Sequence, residues 1–147
     1  MRSGVRLTLE GAKRLLEGAE RRAGELGVPM DIAVVDDGGN LLAFHRMDGA
    51  KITSIDIAIN KAFTAAGARK ATHEYGPVAQ SGGPAFGIHA SNQGRFVIFG
   101  GGLPVFVEGQ IVGGIGVSSG TPDEDREVAQ AGIEALQDAL KSGPAKA

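Results

Sequence analysis

Glycine makes up 24 of the 147 residues of this chain, about twice its usual share, and 13 of the 24 lie between Gly76 and Gly120. Because glycine has no Cβ and adopts positive φ without strain, this concentration indicates close backbone approach in this part of the fold. Two causes fit the pattern. In the first, the amides of Gly100, Gly101 and Gly102 line a site for an anion or a carbonyl oxygen. In the second, the glycines serve strand bulges and the tight packing of the sheet and of subunits.

The charge balance and the lack of cysteine exclude several classes of protein. The chain has 17 Asp and Glu residues against 15 Lys and Arg residues, whereas nucleic-acid and anionic-membrane binders need a basic excess. Without cysteine the chain has no disulfide framework, no thiolate metal site and no cysteine nucleophile. Since no apolar run is long enough for a signal peptide or a spanning helix, we expect a cytoplasmic protein with no membrane and no nucleic-acid partner.

Three segments carry the apolar spacing of amphipathic helices, namely residues 8–26, 53–66 and 121–140. Thr8 is placed to cap the first helix, and the many alanines of the second suit close packing on a sheet. The third helix has the clearest start signal, because Thr121 is followed by Pro122 at the first helical position and by Glu124, which completes a capping box. We expect the terminal residues 141–147 to fray.

Five short runs of β-branched and apolar residues predict strands at residues 30–35, 41–46, 95–99, 104–108 and 111–118. Residues 71–94 show no period and hold turn-forming glycines and prolines, and so long a loop in a small domain is often functional. Strands and helices do not alternate regularly along the chain. We therefore expect a single α/β domain over residues 1–147, with an antiparallel five-stranded sheet and helices packed on it.

The three histidines, His45, His73 and His89, share no helical face and no metal-binding spacing, so the sequence predicts no multi-histidine metal site. Each could still be a single axial ligand to haem iron, which requires only one or two side chains. His89 lies in the long loop and is the best placed, as a ligand to the iron or as an acid or base. The simpler alternatives are a solvated loop residue for His89, a cross-strand partner for His45 and a surface pair with Glu74 for His73.

Two charged positions, an aspartate pair and a lysine, are candidates for chemistry. Asp36 and Asp37 follow an apolar strand at a turn, where a short carboxylate ordinarily binds nearby amides. Lys61 interrupts a helix rich in alanine and isoleucine. If Lys61 points toward the sheet it needs a carboxylate partner such as Asp36, Asp48 or Asp56, and a buried pair of this kind is a candidate site. If Lys61 points outward it is an ordinary solvated lysine.

A series of motifs follows in order along residues 7–140: Leu7-Thr8-Leu9, Ile32-Ala33-Val34-Val35-Asp36, Phe44-His45-Arg46-Met47-Asp48-Gly49-Ala50, Ser54-Ile55 through Lys61 to Ala65, Gly82-Gly83-Pro84, Ser91-Asn92, Gly100-Gly101-Gly102-Leu103-Pro104 and Gly113-Gly114-Ile115-Gly116-Val117-Ser118. With these motifs the chain resembles the GlcG/HbpS family of small haem-binding or haem-associated proteins. It also resembles the C-terminal domain of the PduO corrinoid adenosyltransferases.

The resemblance implies a profilin-like, three-layer α/β/α fold with an antiparallel five-stranded sheet. It also implies a homo-oligomer, with dimers that assemble into octamers, and haem bound near subunit contacts in some members. In a relative the haem ligand is attributed to a histidine in the N-terminal part of the domain, but residues 8–26 contain none. His45 and His89 are the candidate ligands here. Asp36, Lys61 and Gly100 to Gly102 match the family pattern, and Lys61 and the glycine amides would meet haem propionates or a small anionic ligand.

Three functions remain open from the sequence. The favoured one is a haem- or tetrapyrrole-binding protein with a redox-sensing or accessory metabolic role. The alternative is an enzyme that acts on a small oxygenated organic acid by proton transfer, hydration or lyase chemistry, with Asp36 or His89 as base and Gly100 to Gly102 as oxyanion site. The third is a purely structural or partner-binding oligomer, in which the glycines serve subunit packing and the long loop binds another protein.

Overall fold

A computed structural model describes residues 1–142 of the chain. The helices and strands, in chain order, are α1 (Leu9–Leu26), β1 (Asp31–Asp36), β2 (Leu41–Arg46), α2 (Ser54–Ala68), β3 (Gly102–Val107), β4 (Gln110–Ser118) and α3 (Pro122–Ser142), with short 3₁₀ helices at Thr72–Glu74, Ile88–Ala90 and Asn92–Gly94. The first two residues of the predicted frayed tail, Lys141 and Ser142, belong to α3. The rest of that predicted tail lies outside the described residues.

The sheet has the strand order β2-β1-β4-β3, and each neighbouring pair is antiparallel. Alternate residues of β1 face opposite layers, as strand geometry requires. Ile32 and Val34 join the core formed with α1 and α3, while Ala33 and Val35 pack against the alanines of α2. The sheet is therefore covered by α2 on one face and by α1 and α3 on the other, which confirms the predicted α/β class.

The prediction of five strands is wrong by one, because residues 95–99 are not a strand and the sheet formed within residues 1–142 has four. The hydroxyl of Thr64, on α2, takes the place of a neighbouring strand. Its Oγ1 accepts a hydrogen bond from the amide of Val97 at 3.0 Å, and its single hydrogen is shared between the carbonyls of Asn60 at 2.8 Å and Arg95 at 3.1 Å. The β-branched composition of this segment favours a strand, but a helix side chain bonds the amide of Val97 and the carbonyl of Arg95 instead.

The predicted start and end of α1 and the predicted start of α3 are confirmed, whereas α2 starts without a side-chain cap and extends to Ala68. Thr8 accepts a hydrogen bond at Oγ1 from the amide of Gly11 at 3.0 Å, and Gly27 ends α1 with a left-handed φ of 73°. At the start of α3 the amide of Glu124 donates to Thr121 Oγ1 at 3.2 Å, and the amide of Thr121 donates to Glu124 Oε1 at 2.9 Å. This reciprocal pair is the capping box that the sequence indicates.

The glycines of β4 allow α2 to lie directly on the sheet. A Cβ on Gly116 would lie 2.0 Å from the carbonyl oxygen of Ala58, and one on Gly114 would lie 2.5 Å from that of Ala62. Both contacts are with helix backbone, which cannot rotate away as a side chain can. Tight packing of helix on sheet is therefore the physical reason for these glycines.

No helix within residues 1–142 combines the length and the apolar character needed to cross a bilayer.

Candidate functional site

Lys61 points inward from α2 and forms a buried ion pair. Its Nζ donates a hydrogen bond to the carbonyl of Val117 at 2.8 Å and another to Asp125 Oδ2 at 3.0 Å. The side chains of Lys61 and Asp125 are 0% and 3% exposed. Burial lowers the pKa of Lys61, an effect that the carboxylate of Asp125 opposes. Burial likewise raises the pKa of Asp125, against the opposing charge and hydrogen bond of Lys61.

The predicted partners of Lys61 are wrong, since its carboxylate comes from Asp125 and not from Asp36, Asp48 or Asp56. Asp125 was missed because it lies beside the helix start signal, where acidic residues ordinarily complement the helix dipole. A signal was available in the spacing. Asp125 precedes Ala129 by four residues, which places it on the buried face of α3.

Gly101 and Gly102 pack against Lys61 and close the space around it. Gly101 has a φ of 129°, and a Cβ there would lie 2.7 Å from Lys61 Nζ. The amide of Gly102 donates to Thr72 Oγ1 at 2.9 Å, so it is already satisfied within the protein. The aromatic ring of Phe99 covers the ammonium group, with its centroid 5.0 Å from Nζ. The Lys61 amine is therefore enclosed by protein atoms on every side.

Asp36 holds a turn. Its Oδ1 accepts hydrogen bonds from the amides of Gly38 and Asn40, both at 2.9 Å. In the register of the sheet Asp36 is paired with Gly113, at the opposite end of β4 from Val117 and thus from Lys61. These contacts match the turn chemistry considered for Asp36, and the structure does not bring it together with the lysine.

Asp31 is a buried carboxylate that sequence reasoning missed. It is 0% exposed, and neither of its carboxylate oxygens accepts a hydrogen bond from the residues that the structure describes. Across the sheet it lies opposite Arg46 on β2 and Ser118 on β4. Burial raises the pKa of Asp31, and the positive charge of Arg46 opposes this shift. The available signal was a carboxylate within the apolar run of residues 30–35.

His45 forms an imidazole–carboxylate pair on the surface. It lies on the edge strand β2, and its Nδ1 is 2.7 Å from Oε1 of Glu20 on α1. About half of each side chain is exposed. The pair borders an open depression of about 550 Å³ whose lining residues are Glu20, Phe44, His45, Arg46, Met47 and Asp48. Because Nδ1 is engaged by the carboxylate, Nε2 is the ring nitrogen left for a ligand.

The other two histidines lie elsewhere. His89 is exposed on the 3₁₀ helix Ile88–Ala90, and its ring meets that of Phe86 edge to face with centroids 6.4 Å apart. His73 is half-buried, and its Nδ1 is enclosed without a hydrogen-bond partner among residues 1–142. Burial lowers the pKa of His73, the charge of Arg126 lowers it further, and Glu74 opposes both. Each histidine thus occupies a separate element.

Comparison with known proteins agrees with this fold over most of the chain. The family model described as "Haem degrading protein HbpS-like" matches residues 7–134. A 15.0-kDa protein of the dhaT–dhaS intergenic region of Citrobacter freundii is 44% identical over 132 residues, which cover 90% of this chain and 93% of that protein. The corrinoid adenosyltransferase PduO of Salmonella typhimurium is 36% identical over 132 residues, but the chain spans only 39% of its length.

Two solved structures show the same architecture. The crystal structure of Klebsiella pneumoniae protein ORFY superimposes with a TM-score of 0.89 at 39% identity, covering 92% of this chain and 94% of that one. The structure described as a PduOC:Heme complex superimposes with a TM-score of 0.86 at 36% identity, covering 89% and 95%. Since the family model spans well over half of the sequence, this chain belongs to the HbpS-like family.

Proposed function

We propose that this protein binds haem, with His45 as the axial ligand to the iron. The observation that carries the proposal is the His45–Glu20 pair, which presents Nε2 beside an open depression. The likeness to the PduOC structure, whose description names a haem complex, supports the choice of ligand.

The residues around His45 suit a haem group. A carboxylate that accepts a hydrogen bond from Nδ1 fixes the tautomer and the orientation of a metal-binding imidazole, and Glu20 is placed to do this. Phe44 and Met47 provide apolar contacts in the same depression. When bound, haem supplies an iron centre for ligand binding or electron transfer. The protein's part is to hold and orient that iron through His45, in a redox-sensing or accessory metabolic role.

His89 is the competing candidate that the sequence placed first. Its neighbour Phe86 is 64% exposed, so the two rings offer an apolar surface on the loop. No carboxylate within the described residues is hydrogen-bonded to its ring, and His89 therefore lacks the orienting partner that His45 has.

The test is a titration of the purified protein with hemin, followed by the Soret absorbance, in the wild type and in His45→Ala, His73→Ala and His89→Ala. We expect saturable binding in the wild type that is lost in His45→Ala and retained in the other two. Loss in His89→Ala alone would move the ligand to the loop. A titration without a saturable band, or one indifferent to all three substitutions, would contradict haem ligation by histidine.

We also infer that the protein assembles into a homo-oligomer, with dimers forming an octamer. Several large apolar side chains are about half exposed or more in the single chain, among them Leu9, Leu41, Ile52 and Phe106. Large apolar side chains of this kind are covered when copies of a chain associate through a shared patch. Light scattering after size-exclusion chromatography measures the number of chains directly, and a monomer at micromolar concentration would contradict this inference.

A further inference from the structure

Arg46 follows His45 on β2 and lines the same depression. Successive side chains of a strand point to opposite faces, and the register agrees, since His45 is opposite Ile32 and Arg46 is opposite Asp31. Both residues nevertheless line the same depression at the edge of the sheet, which β2 forms. A ligand coordinated by His45 can therefore contact Arg46 only through a group that is distant from the coordinated atom.

The guanidinium of Arg46 is available to a ligand. Arg14 and Arg22 form ion pairs with carboxylates on their own helix, whereas Arg46 is within 4.0 Å of no carboxylate in residues 1–142. Its register partner on β1, Asp31, is fully buried and forms no ion pair with it, although the charge of Arg46 acts on that carboxyl, while Arg46 itself is exposed. Exposed and unpaired, the fork of donors matches the geometry of an incoming carboxylate.

None of the other charged groups considered is placed to bind a ligand carboxylate. Glu20 is engaged by His45, and Asp48 is an exposed anion that repels an acidic ligand. Lys61, which the sequence analysis considered for the propionates, is 0% exposed and paired with Asp125. Among the described residues that line the depression, Arg46 is the one Lys or Arg.

We propose that Arg46 binds the carboxylate groups of the ligand that His45 coordinates, and so selects a ligand whose acid groups are set apart from its coordinating centre. This inference rests on the proposed function, since it requires a ligand held through His45. It assigns Arg46 as a specificity-determining residue that favours an iron porphyrin with free propionates over one whose propionates are esterified.

The test compares hemin with iron protoporphyrin dimethyl ester, which has the same iron and ring but masked carboxylates. Both affinities are measured by Soret titration, and the quantity of interest is their ratio, in which differences common to the two ligands cancel. We expect Arg46→Gln to reduce the preference for hemin by about tenfold, as loss of a charge-assisted hydrogen bond predicts. Arg46→Lys should retain part of the preference, and Asp48→Asn should increase it.

Arg69→Gln is the matched control. It removes the same charge at the C-terminal end of α2, where Arg69 lines a different depression, so the ratio should stay at the wild-type value. If the wild type binds both porphyrins through His45 and Arg46→Gln leaves their ratio unchanged, the role of Arg46 is overturned while haem binding stands. If the wild type binds neither, or binds both independently of His45, the proposed function fails and this inference fails with it.

Discussion

The Nζ atom of Lys61 lies 3.0 Å from Oδ2 of Asp125, and this contact joins two buried charges that are 64 positions apart in the chain. Lys61 belongs to the layer of α2 and Asp125 to the layer of α3, so the pair connects the two faces of the sheet. The second oxygen of Asp125 accepts a hydrogen bond from the amide of Gly120 at 2.9 Å. The ion pair thus fixes the start of α3 relative to α2.

Removal of one partner of this pair should destabilise the fold strongly. Lys61→Met leaves the Asp125 carboxylate buried without a cation, and Asp125→Asn leaves the ammonium without an anion. Each should lower the free energy of unfolding by about 3–5 kcal/mol. The double variant should lose much less than the sum, because no unpaired charge remains. Urea unfolding of the four proteins measures the coupling, and strictly additive losses would show that the pair does not act as a unit.

Substitution at Gly116 tests whether the glycines of β4 are needed for the packing of α2 on the sheet. Gly116→Ala places a Cβ 2.0 Å from the carbonyl oxygen of Ala58, so α2 must shift, and we expect a loss of about 3 kcal/mol. Gly24→Ala is the matched control. Gly24 lies within α1 and its added Cβ meets no atom within 4 Å, so this change should stabilise the protein by about 1 kcal/mol. Thermal and urea unfolding measure both, and equal effects would refute the packing argument.

Asp31 should make stability fall as the pH rises. Burial raises its pKa in the folded state, so the folded protein binds a proton more readily than the unfolded chain does. The free energy of unfolding therefore decreases from about pH 4, the ordinary range of a carboxyl group, up through the raised pKa. Asp31→Asn should gain on the wild type across this window and keep its advantage at neutral pH. Urea unfolding between pH 4 and pH 8 measures the difference in unfolding free energy between Asp31→Asn and the wild type, with the exposed Asp37→Asn as control. A difference that does not change with pH would contradict a raised pKa for Asp31.

Glu20 should support haem binding as a positioning residue. Glu20→Gln removes the carboxylate that orients His45, and loss of such a partner weakens metal binding by about tenfold or more. Glu17→Gln lies one turn earlier on α1 and pairs with Arg14, so it should leave the affinity for hemin unchanged. Soret titration gives the affinities, and the spectrum of the bound iron reports whether the axial ligand is altered. Equal affinities in the two variants would leave Glu20 without this role.

The local structure of this protein is predictable from its sequence, whereas most of its long-range contacts are not. The caps at Thr8 and Thr121 were predictable because each depends on residues three positions apart. The strand at residues 95–99 was wrong, since the hydroxyl of Thr64 satisfies that backbone from a helix about 30 positions away. The sequence indicates Lys61 as a candidate for burial, but its partner is the distant Asp125 and none of the aspartates nearer to it in the chain.

The sequence by itself determined the order of the three helices and of the four strands that form, the capped starts of α1 and α3, and the family, because periodicity, capping and motif order are properties of short stretches of chain. Only the tertiary structure decided which side chains meet. It joined Lys61 to Asp125 and Glu20 to His45, and it buried Asp31 without a hydrogen-bond partner among the described residues. The physical reason is that such contacts depend on how helices pack on a sheet, and local spacing does not encode the distance between residues that are far apart in the chain.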